Sequence, residues 1–191
     1  MRKLKLQMQT TVDGFVAGRD GESDWMTFER DDELSAFMNA LTDSCDTILM
    51  GRKMIEEGFV SYWTSVLEKP ESPDYEIARK MVDYPKIVFT KTLSESPWAN
   101  TVLAKGDIVE EVMRLKNQTG KDIIVYGGAN FVSSLIRENL IDEYNLFVNA
   151  VAIGKGMTIF NRLNQNLNLK LVEARAFNRE VVLRYQPNEG E

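Results

Sequence analysis

The strongest constraint on the fold is an alternation of short apolar runs with segments of helical periodicity. Apolar runs at 47–50, 86–90 and 122–126 have the length and composition of buried strands. Before the first of these runs, residues 31–44 place apolar side chains three and four positions apart, which indicates a helix. Alternating strands and helices predict an α/β fold with a mostly parallel central sheet and helices on both faces.

The two ends of the chain complete this picture. Residues 3–10 alternate polar and apolar side chains, which predicts a first strand. Residues 168–174 and 179–185 alternate in the same way and predict a C-terminal antiparallel hairpin. Between them the sequence predicts a short helix near 74–82, a strand at 101–103, helices at 107–117 and 129–139, and a strand at 143–153. Residues 58–84 otherwise indicate a surface excursion, and we expect a single domain over 1–191.

Composition excludes several classes of function. Histidine is absent, which removes Ser-His-Asp and Cys-His catalysis and the usual zinc sites, so we expect no metal site. The net charge of −6 argues against a nucleic-acid partner. The single cysteine, Cys45, and the lack of an apolar signal core or a membrane-length segment lead us to expect a cytoplasmic protein without a membrane partner.

Three strand-to-loop junctions are candidates for nucleotide binding. Gly51 is followed by Arg52, Lys53 and Met54, and this turn is either a phosphate clamp or a solvated basic turn. Gly127-Gly128 lies between a strand and a helix, which favours either close approach of a ligand or only a tight connection. Thr90-Lys91 ends a third strand. All three lie at predicted carboxyl ends of parallel strands, where ligands bind in open α/β sheets.

Four segments together resemble the dihydrofolate-reductase-like superfamily. They are 12–17 with the first strand, 48–52, the strand ending at Thr90-Lys91, and 126–129. Thr11-Val12-Asp13-Gly14 and Gly21-Glu22-Ser23-Asp24-Trp25-Met26-Thr27 are similar to the reductase half of the bacterial bifunctional riboflavin deaminase-reductase. The resemblance implies the three-layer fold of that superfamily and covers nearly the whole chain.

The resemblance also implies a role for individual residues, with NADPH as cofactor. Val16 and Ala17 would line the nicotinamide, Trp25 would pack near the cofactor, and Ser23 would face the substrate. The adenosine-side phosphates would be held by Gly51, Arg52, Lys53 and Met54. Thr90 and Lys91 would flank the adenine and its 2′-phosphate. The pyrophosphate would be wrapped by Gly127, Gly128, Ala129, Asn130 and Phe131.

The implied activity is that of an NADPH-dependent oxidoreductase. It resembles 5-amino-6-(5-phosphoribosylamino)uracil reductase of riboflavin biosynthesis, which transfers a hydride to a planar heterocycle. Two alternatives stay open: a dihydrofolate reductase, and a non-catalytic nucleotide-binding protein of the same fold. Homodimers are common in the resembled family, so we expect a homodimer with a small-molecule substrate.

The sequence leaves the catalytic residues unassigned. Where the riboflavin branch has a substrate-facing glutamate before its glycine pair, this chain has Tyr126. Asp32 and Glu33 lie near the place of the folate-binding carboxylate, but the helix dipole by itself favours acids at a helix N-terminus, and we prefer that explanation. Phe59, Tyr62 and Trp63 either cover a planar substrate or cover the core.

Overall fold

The structure is a computed structural model that describes residues 1–26 and 31–188. These residues form eight strands and six helices. The strands are β1 (Leu4–Thr11), β2 (Cys45–Gly51), β3 (Lys86–Phe89), β4 (Thr101–Ala104), β5 (Asp122–Val125), β6 (Glu143–Asn149), β7 (Leu169–Ala176) and β8 (Glu180–Pro187). The helices are α1 (Asp32–Asp43), α2 (Arg52–Glu56), α3 (Phe59–Leu67), α4 (Tyr75–Asp83), α5 (Ile108–Lys116) and α6 (Ala129–Arg137). Within the described ranges, no helix has the length and apolar character that crossing a bilayer requires.

The chain divides into two compact units, each assembled from separate stretches of sequence. Unit 1 contains the described residues of Met1–Arg2 and Arg30–Gly128. Unit 2 contains those of Lys3–Glu29 and Ala129–Glu191. The boundary therefore falls inside the segment 127–131 that the sequence marks for pyrophosphate binding. The single domain over 1–191 stays a prediction.

Unit 1 is built on four parallel strands in the order β4-β3-β2-β5. Strands β2 and β5 carry apolar side chains on both faces, and Ile48, Leu49 and Ile124 are completely buried. Continuous burial is expected for parallel strands, because helices cover both faces of such a sheet. The parallel sheet predicted from the apolar runs is thus confirmed.

The helix α3 was not detected from the sequence. Six of its nine residues are apolar, and several of them are β-branched or aromatic, types that have low intrinsic helix propensity. The helix lies against α4 and α2, so tertiary packing stabilises it where local propensity is weak. None of its nine residues is buried, so packing accounts for only part of its apolar surface.

Unit 2 has the strand order β1-β6-β8-β7, with β1 and β6 parallel and the last two pairs antiparallel. The C-terminal hairpin predicted from the alternating pattern is confirmed as β7 and β8. Strand β6 ends at Asn149 rather than at residue 153. The chain turns there because Val151 donates its N–H to the carbonyl of Asn149 at 2.8 Å.

Candidate functional site

Three of the predicted ligand-binding segments lie at one edge of the unit 1 sheet. Strands β3, β2 and β5 are neighbours and run parallel, so their carboxyl ends meet at the same edge. Gly51 pairs in register with Phe89, and Leu49 pairs with Val125. The segments that follow these strands are therefore side by side: 51–54, Thr90-Lys91 and Gly127-Gly128. This is the position at which open α/β sheets bind ligands.

The first junction joins β2 to the short helix α2. Gly51 is buried with extended backbone, and α2 has only five residues. A helix of this length has a small macrodipole, so backbone N–H groups and cations must provide any attraction for a phosphate. Arg52 binds Glu56 through Nη1, at 2.9 and 2.7 Å from the two carboxylate oxygens. Lys53 is exposed.

At the junction after β5, Gly128 needs the backbone freedom of glycine, and Gly127 packs closely against a neighbouring side chain. Gly128 has a φ of 81°, in the left-handed region that strains any other residue. A Cβ atom at Gly127 would lie 3.3 Å from Sδ of Met54, so a side chain there would press on the residue that follows the basic turn. The glycine pair thus lets the β5 junction and the β2 junction lie directly against each other.

At the junction after β3, Thr90 stabilises the turn and Lys91 carries the charge. The Thr90 side chain is buried, and its Oγ1 accepts the N–H groups of Thr92 and Leu93, each at 3.2 Å. This bonding shapes the turn, which is a common use of threonine. Lys91 is exposed and supplies the positive charge of this segment.

Tyr126, directly before the glycine pair, belongs to an aromatic cluster. We define this cluster as Phe59, Tyr62, Trp63 and Tyr126. The ring centroids of Phe59 and Tyr126 are 6.1 Å apart, and those of Tyr62 and Trp63 are 5.0 Å apart. These separations lie in the range of favourable aromatic pairs. The cluster connects α3 to the carboxyl end of β5.

In unit 2, Val16 and Ala17 are held by a segment far away in sequence. Val16 donates its N–H to the carbonyl of Met157 at 2.8 Å, and Met157 donates to the carbonyl of Ala17 at 2.8 Å. A Cβ atom at Gly156 would lie 2.1 Å from the Ala17 oxygen, so only glycine fits there. Gly156 and Met157 were missed from the sequence, because a pattern of local turn residues does not reveal which distant backbone they support.

Asp13 fixes the turn that precedes Val16. Its carboxylate accepts the hydroxyl of Thr11 at 2.5 Å and the N–H groups of Ile153 and Gly154 at 3.1 and 2.7 Å. The hydrogen bond from Thr11 is the main cause that lowers the pKa of Asp13 below its ordinary 3.8, and the bond from Gly154 adds to it. The carboxylate is therefore ionised at neutral pH, which suits an acceptor of backbone N–H groups and not a proton donor.

The remaining predicted residues of unit 2 differ in exposure. Ser23 is exposed, while Trp25 is half-buried. The indole Nε1–H of Trp25 is buried and meets no acceptor among the described residues. The last position of the motif that contains both residues, Thr27, lies outside the described residues.

The helix α6 begins directly after the glycine pair, at Ala129. Ala129 and Phe131 are half-buried and Asn130 is exposed. The Oδ1 atom of Asn130 accepts a long hydrogen bond from Nη2 of Arg162 at 3.4 Å. The role of Ala129, Asn130 and Phe131 around a pyrophosphate stays a prediction.

The acidic residues at the start of α1 have a structural explanation. Asp31 is the N-cap, and its carboxylate accepts the N–H of Leu34 at 2.7 Å. Asp32 and Glu33 follow in the first turn and are exposed, where the helix dipole favours negative charge. Their exposure and position thus fit the structural explanation.

Comparison with known sequences gives a match over almost the whole chain. Residues 2–183 match the family described as the RibD C-terminal domain. The chain is 35% identical over 183 residues to the uncharacterized protein YyaP of Bacillus subtilis (strain 168), covering 95% of this chain and 92% of that protein. A second uncharacterized protein of the same organism, YwjB, is 28% identical over 187 residues, covering 96% and 97%.

Solved structures share the fold. A protein from Shewanella sp. PV-4, provisionally assigned to riboflavin biosynthesis, superposes with a TM-score of 0.75 at 21% identity, covering 99% of this chain and all of that one. A diaminohydroxyphosphoribosylaminopyrimidine deaminase/5-amino-6-(5-phosphoribosylamino)uracil reductase from Thermotoga maritima superposes with a TM-score of 0.70 at 19% identity. The match covers 98% of this chain and 57% of the Thermotoga protein. At these identities the likeness establishes the fold.

Proposed function

Because this chain belongs to the RibD C-terminal domain family, we propose that it is an NADPH-dependent reductase of a planar heterocycle. The observation that carries the proposal is the arrangement of the unit 1 sheet edge. There, three consecutive parallel strands end in a basic turn, a threonine-lysine turn and a glycine pair. Lys53 and Lys91 are exposed, and each supplies a cation for phosphate groups.

Observations in each unit fit the cofactor. In unit 1, we assign the glycine pair to the close approach of a pyrophosphate, and Gly128 has a φ of 81° that glycine readily adopts. In unit 2, Trp25 is half-buried, and we assign its ring to packing near the cofactor. When bound, NADPH supplies the hydride, and the contribution of this chain is to bind and orient the reactants.

The finer assignments belong to the same proposal. The substrate of the pyrimidine reductase named for the Thermotoga protein is the first candidate substrate. The phosphates of the cofactor are assigned to 51–54, Thr90-Lys91 and 127–131. Cys45 is buried and is the single cysteine of the sequence, which suits a reducing compartment such as the cytoplasm. A homodimer is the expected assembly, and light scattering of the purified protein measures it.

Thermal protection tests cofactor binding without requiring knowledge of the substrate. A ligand present at about 100 times its dissociation constant adds roughly 2.7 kcal/mol to the free energy of unfolding. We expect millimolar NADPH to raise the melting temperature clearly and more than NADH does. An unchanged melting curve would refute the proposal. The loss of NADPH absorbance with the phosphoribosylaminopyrimidine intermediate then tests the substrate class.

A further inference from the structure

One side of α3 forms a groove together with α2 and the loop between β3 and β4. The groove has a volume of about 380 Å³ and lies entirely within unit 1. Ser61, Thr64, Ser65 and Glu68 line it, and their spacings of three and four residues place them in one stripe along the helix. The four members of the aromatic cluster lie outside this lining.

The three hydroxyl groups of this stripe act as acceptors towards a ligand. Ser61, Thr64 and Ser65 each donate to a backbone carbonyl three or four residues earlier, at 3.0, 2.8 and 2.7 Å. A hydroxyl has one proton and two lone pairs. Because the proton is used within the helix, the oxygen offers only lone pairs to the groove. The polar side of the groove therefore selects a ligand that donates hydrogen bonds.

The stripe ends at a carboxylate in an unfavourable place. Glu68 is the C-cap residue of α3, and the partial negative charge at the end of a helix favours a cation over an anion. The last turn of α3 contains no basic residue. Lys69 follows the cap but does not line the groove. A cation bound between the hydroxyl oxygens and Glu68 compensates both negative charges.

A second carboxylate, that of Glu56, lines the groove from α2. Arg52 binds it at 2.7 Å, so Glu56 attracts a further cation less strongly than Glu68 does. Among the described residues that line the groove, none is basic. The charged groups of the lining are therefore all acidic.

Apolar side chains complete the lining. Ile55 is 2% exposed, and Val60 and Trp98 are half-buried. The backbone of Trp98 is fixed by Ser96, whose Oγ accepts the N–H of Trp98 and donates to its carbonyl, each at 3.2 Å. An indole ring attracts cations more strongly than any other aromatic side chain. The lining thus offers an aliphatic chain apolar contact beside groups that attract positive charge.

We propose that this groove binds a primary ammonium group on an aliphatic chain. The N–H groups of the ammonium donate to the hydroxyl oxygens of the stripe and to Glu68, and the chain packs against Ile55, Val60 and the ring of Trp98. This site goes beyond the reductase function proposed above, because its lining includes none of the residues assigned to the cofactor. An uncharged alcohol also donates a hydrogen bond, but it gains nothing from Glu68 or from the end of α3.

Butylammonium and 1-butanol test the proposal, because they share a chain and differ in charge. Saturation-transfer NMR detects weak binding on the signals of the ligand and gives dissociation constants for the wild type, Glu68→Gln, Trp98→Leu and Glu57→Gln. The last variant is the matched control. Glu57 is exposed and caps α2, but it does not line the groove, so Glu57→Gln removes the same charge from a neighbouring position.

We expect the wild type to bind butylammonium about tenfold more tightly than 1-butanol. Glu68→Gln should raise the dissociation constant for butylammonium about fivefold, as expected for one exposed charge pair. Trp98→Leu should raise it about threefold through loss of the cation–π contact. Trp98→Phe keeps an aromatic face and should retain more of the affinity than Trp98→Leu. Glu57→Gln should change the constant less than about twofold.

Equal affinity for butylammonium and 1-butanol would overturn the proposal, as would the absence of saturable binding of butylammonium. A loss in Glu57→Gln as large as that in Glu68→Gln would show that only the net charge of the protein matters. Unchanged affinity in Trp98→Leu and Trp98→Phe would place the amine outside the groove. None of these measurements depends on NADPH, so this proposal and the reductase function stand or fail separately.

Discussion

Arg52 and Glu56 form an ion pair along one turn of α2, with Nη1 of the arginine 2.7 Å from the nearer carboxylate oxygen. The two side chains are 37% and 34% exposed. An exposed pair at this spacing contributes only about 0.3–0.5 kcal/mol, so a ligand phosphate can draw the guanidinium away at small cost. The pair therefore holds Arg52 beside the β2 strand end and leaves its guanidinium able to bind a phosphate.

This relationship yields a prediction on cofactor choice. NADPH and NADH differ by one 2′-phosphate, and a charge-assisted hydrogen bond to it is worth roughly 1.5–3 kcal/mol when well formed. Partial exposure shifts the value towards the lower end. Arg52→Ala should weaken NADPH binding about tenfold, which corresponds to 1.4 kcal/mol, and leave NADH nearly unchanged. Titration of both cofactors against both proteins measures this.

The ion-pair partner supplies the matched variant. Glu56→Gln releases the guanidinium and removes a nearby negative charge, so NADPH should bind about twofold more tightly. The preference for NADPH over NADH should also shrink as salt rises, because exposed charges are screened. If Arg52→Ala lowers the affinity for NADH and NADPH equally, Arg52 serves the pyrophosphate or the fold and not the 2′-phosphate.

A second prediction concerns the glycine pair. Gly128→Ala should destabilise the protein by about 1–2 kcal/mol, since its φ of 81° is left-handed, and should also lower NADPH affinity. Gly154→Ala is a matched control, because Gly154 has a φ of 71° and open space around its Cβ position. It should cost similar stability and leave cofactor affinity within twofold. Urea unfolding and NADPH titration of both variants separate strain from binding.

A third prediction is that dihydrofolate is a poor substrate. The first turn of α1 holds Asp32 and Glu33 on exposed positions, and Asp31 is used as the N-cap. No carboxylate in this turn has the burial that would raise its affinity for a pterin ring. Steady-state assays with dihydrofolate and NADPH should show slow turnover. A micromolar Michaelis constant with rapid turnover would favour a dihydrofolate reductase over the proposed function.

The fold was more predictable from the sequence than the site. The runs at 47–50 and 122–126 predicted buried parallel strands because their pattern is local and continuous. In β1, period-two alternation predicted the strand, yet Gln7 on its polar side is buried. That burial depends on register, since Gln7 pairs with Asn145, whose Nδ2 donates to the carbonyl of Leu6 and to Glu143.

In the candidate site, too, local features were predictable and long-range contacts were not. Gly51 and Gly127 were detectable because a glycine that follows a strand is a local signal. The support of Ala17 by Gly156 and Met157 was not detectable, because the two segments are almost 140 residues apart in the sequence. The contact between Phe59 and Tyr126 was hidden for the same reason, and the helical state of α3 depended on packing that local propensity does not reveal.

The last prediction concerns Asp13, which links the turn after β1 to residues 153 and 154. Hydrogen bonding lowers its pKa below 3.8, chiefly through Thr11. A carboxyl whose pKa is lower in the folded state than in the unfolded state stabilises the fold above the unfolded pKa. This stabilisation disappears as the pH falls through the folded pKa. The contribution of Asp13 is therefore complete at neutral pH and is lost below about 3.8.

Asp13→Asn should therefore reduce the free energy of unfolding at pH 7, because an amide offers one oxygen acceptor where the carboxylate offers two. The difference from the wild type should shrink as the pH is lowered from 4.5 towards about 3, below the ordinary carboxyl pKa. Asp20→Asn removes the same charge from an exposed loop position and should leave stability nearly unchanged. Urea unfolding of the three proteins across this pH range measures the effect. A stability difference that stays constant with pH would show that Asp13 acts through its shape and not through its charge.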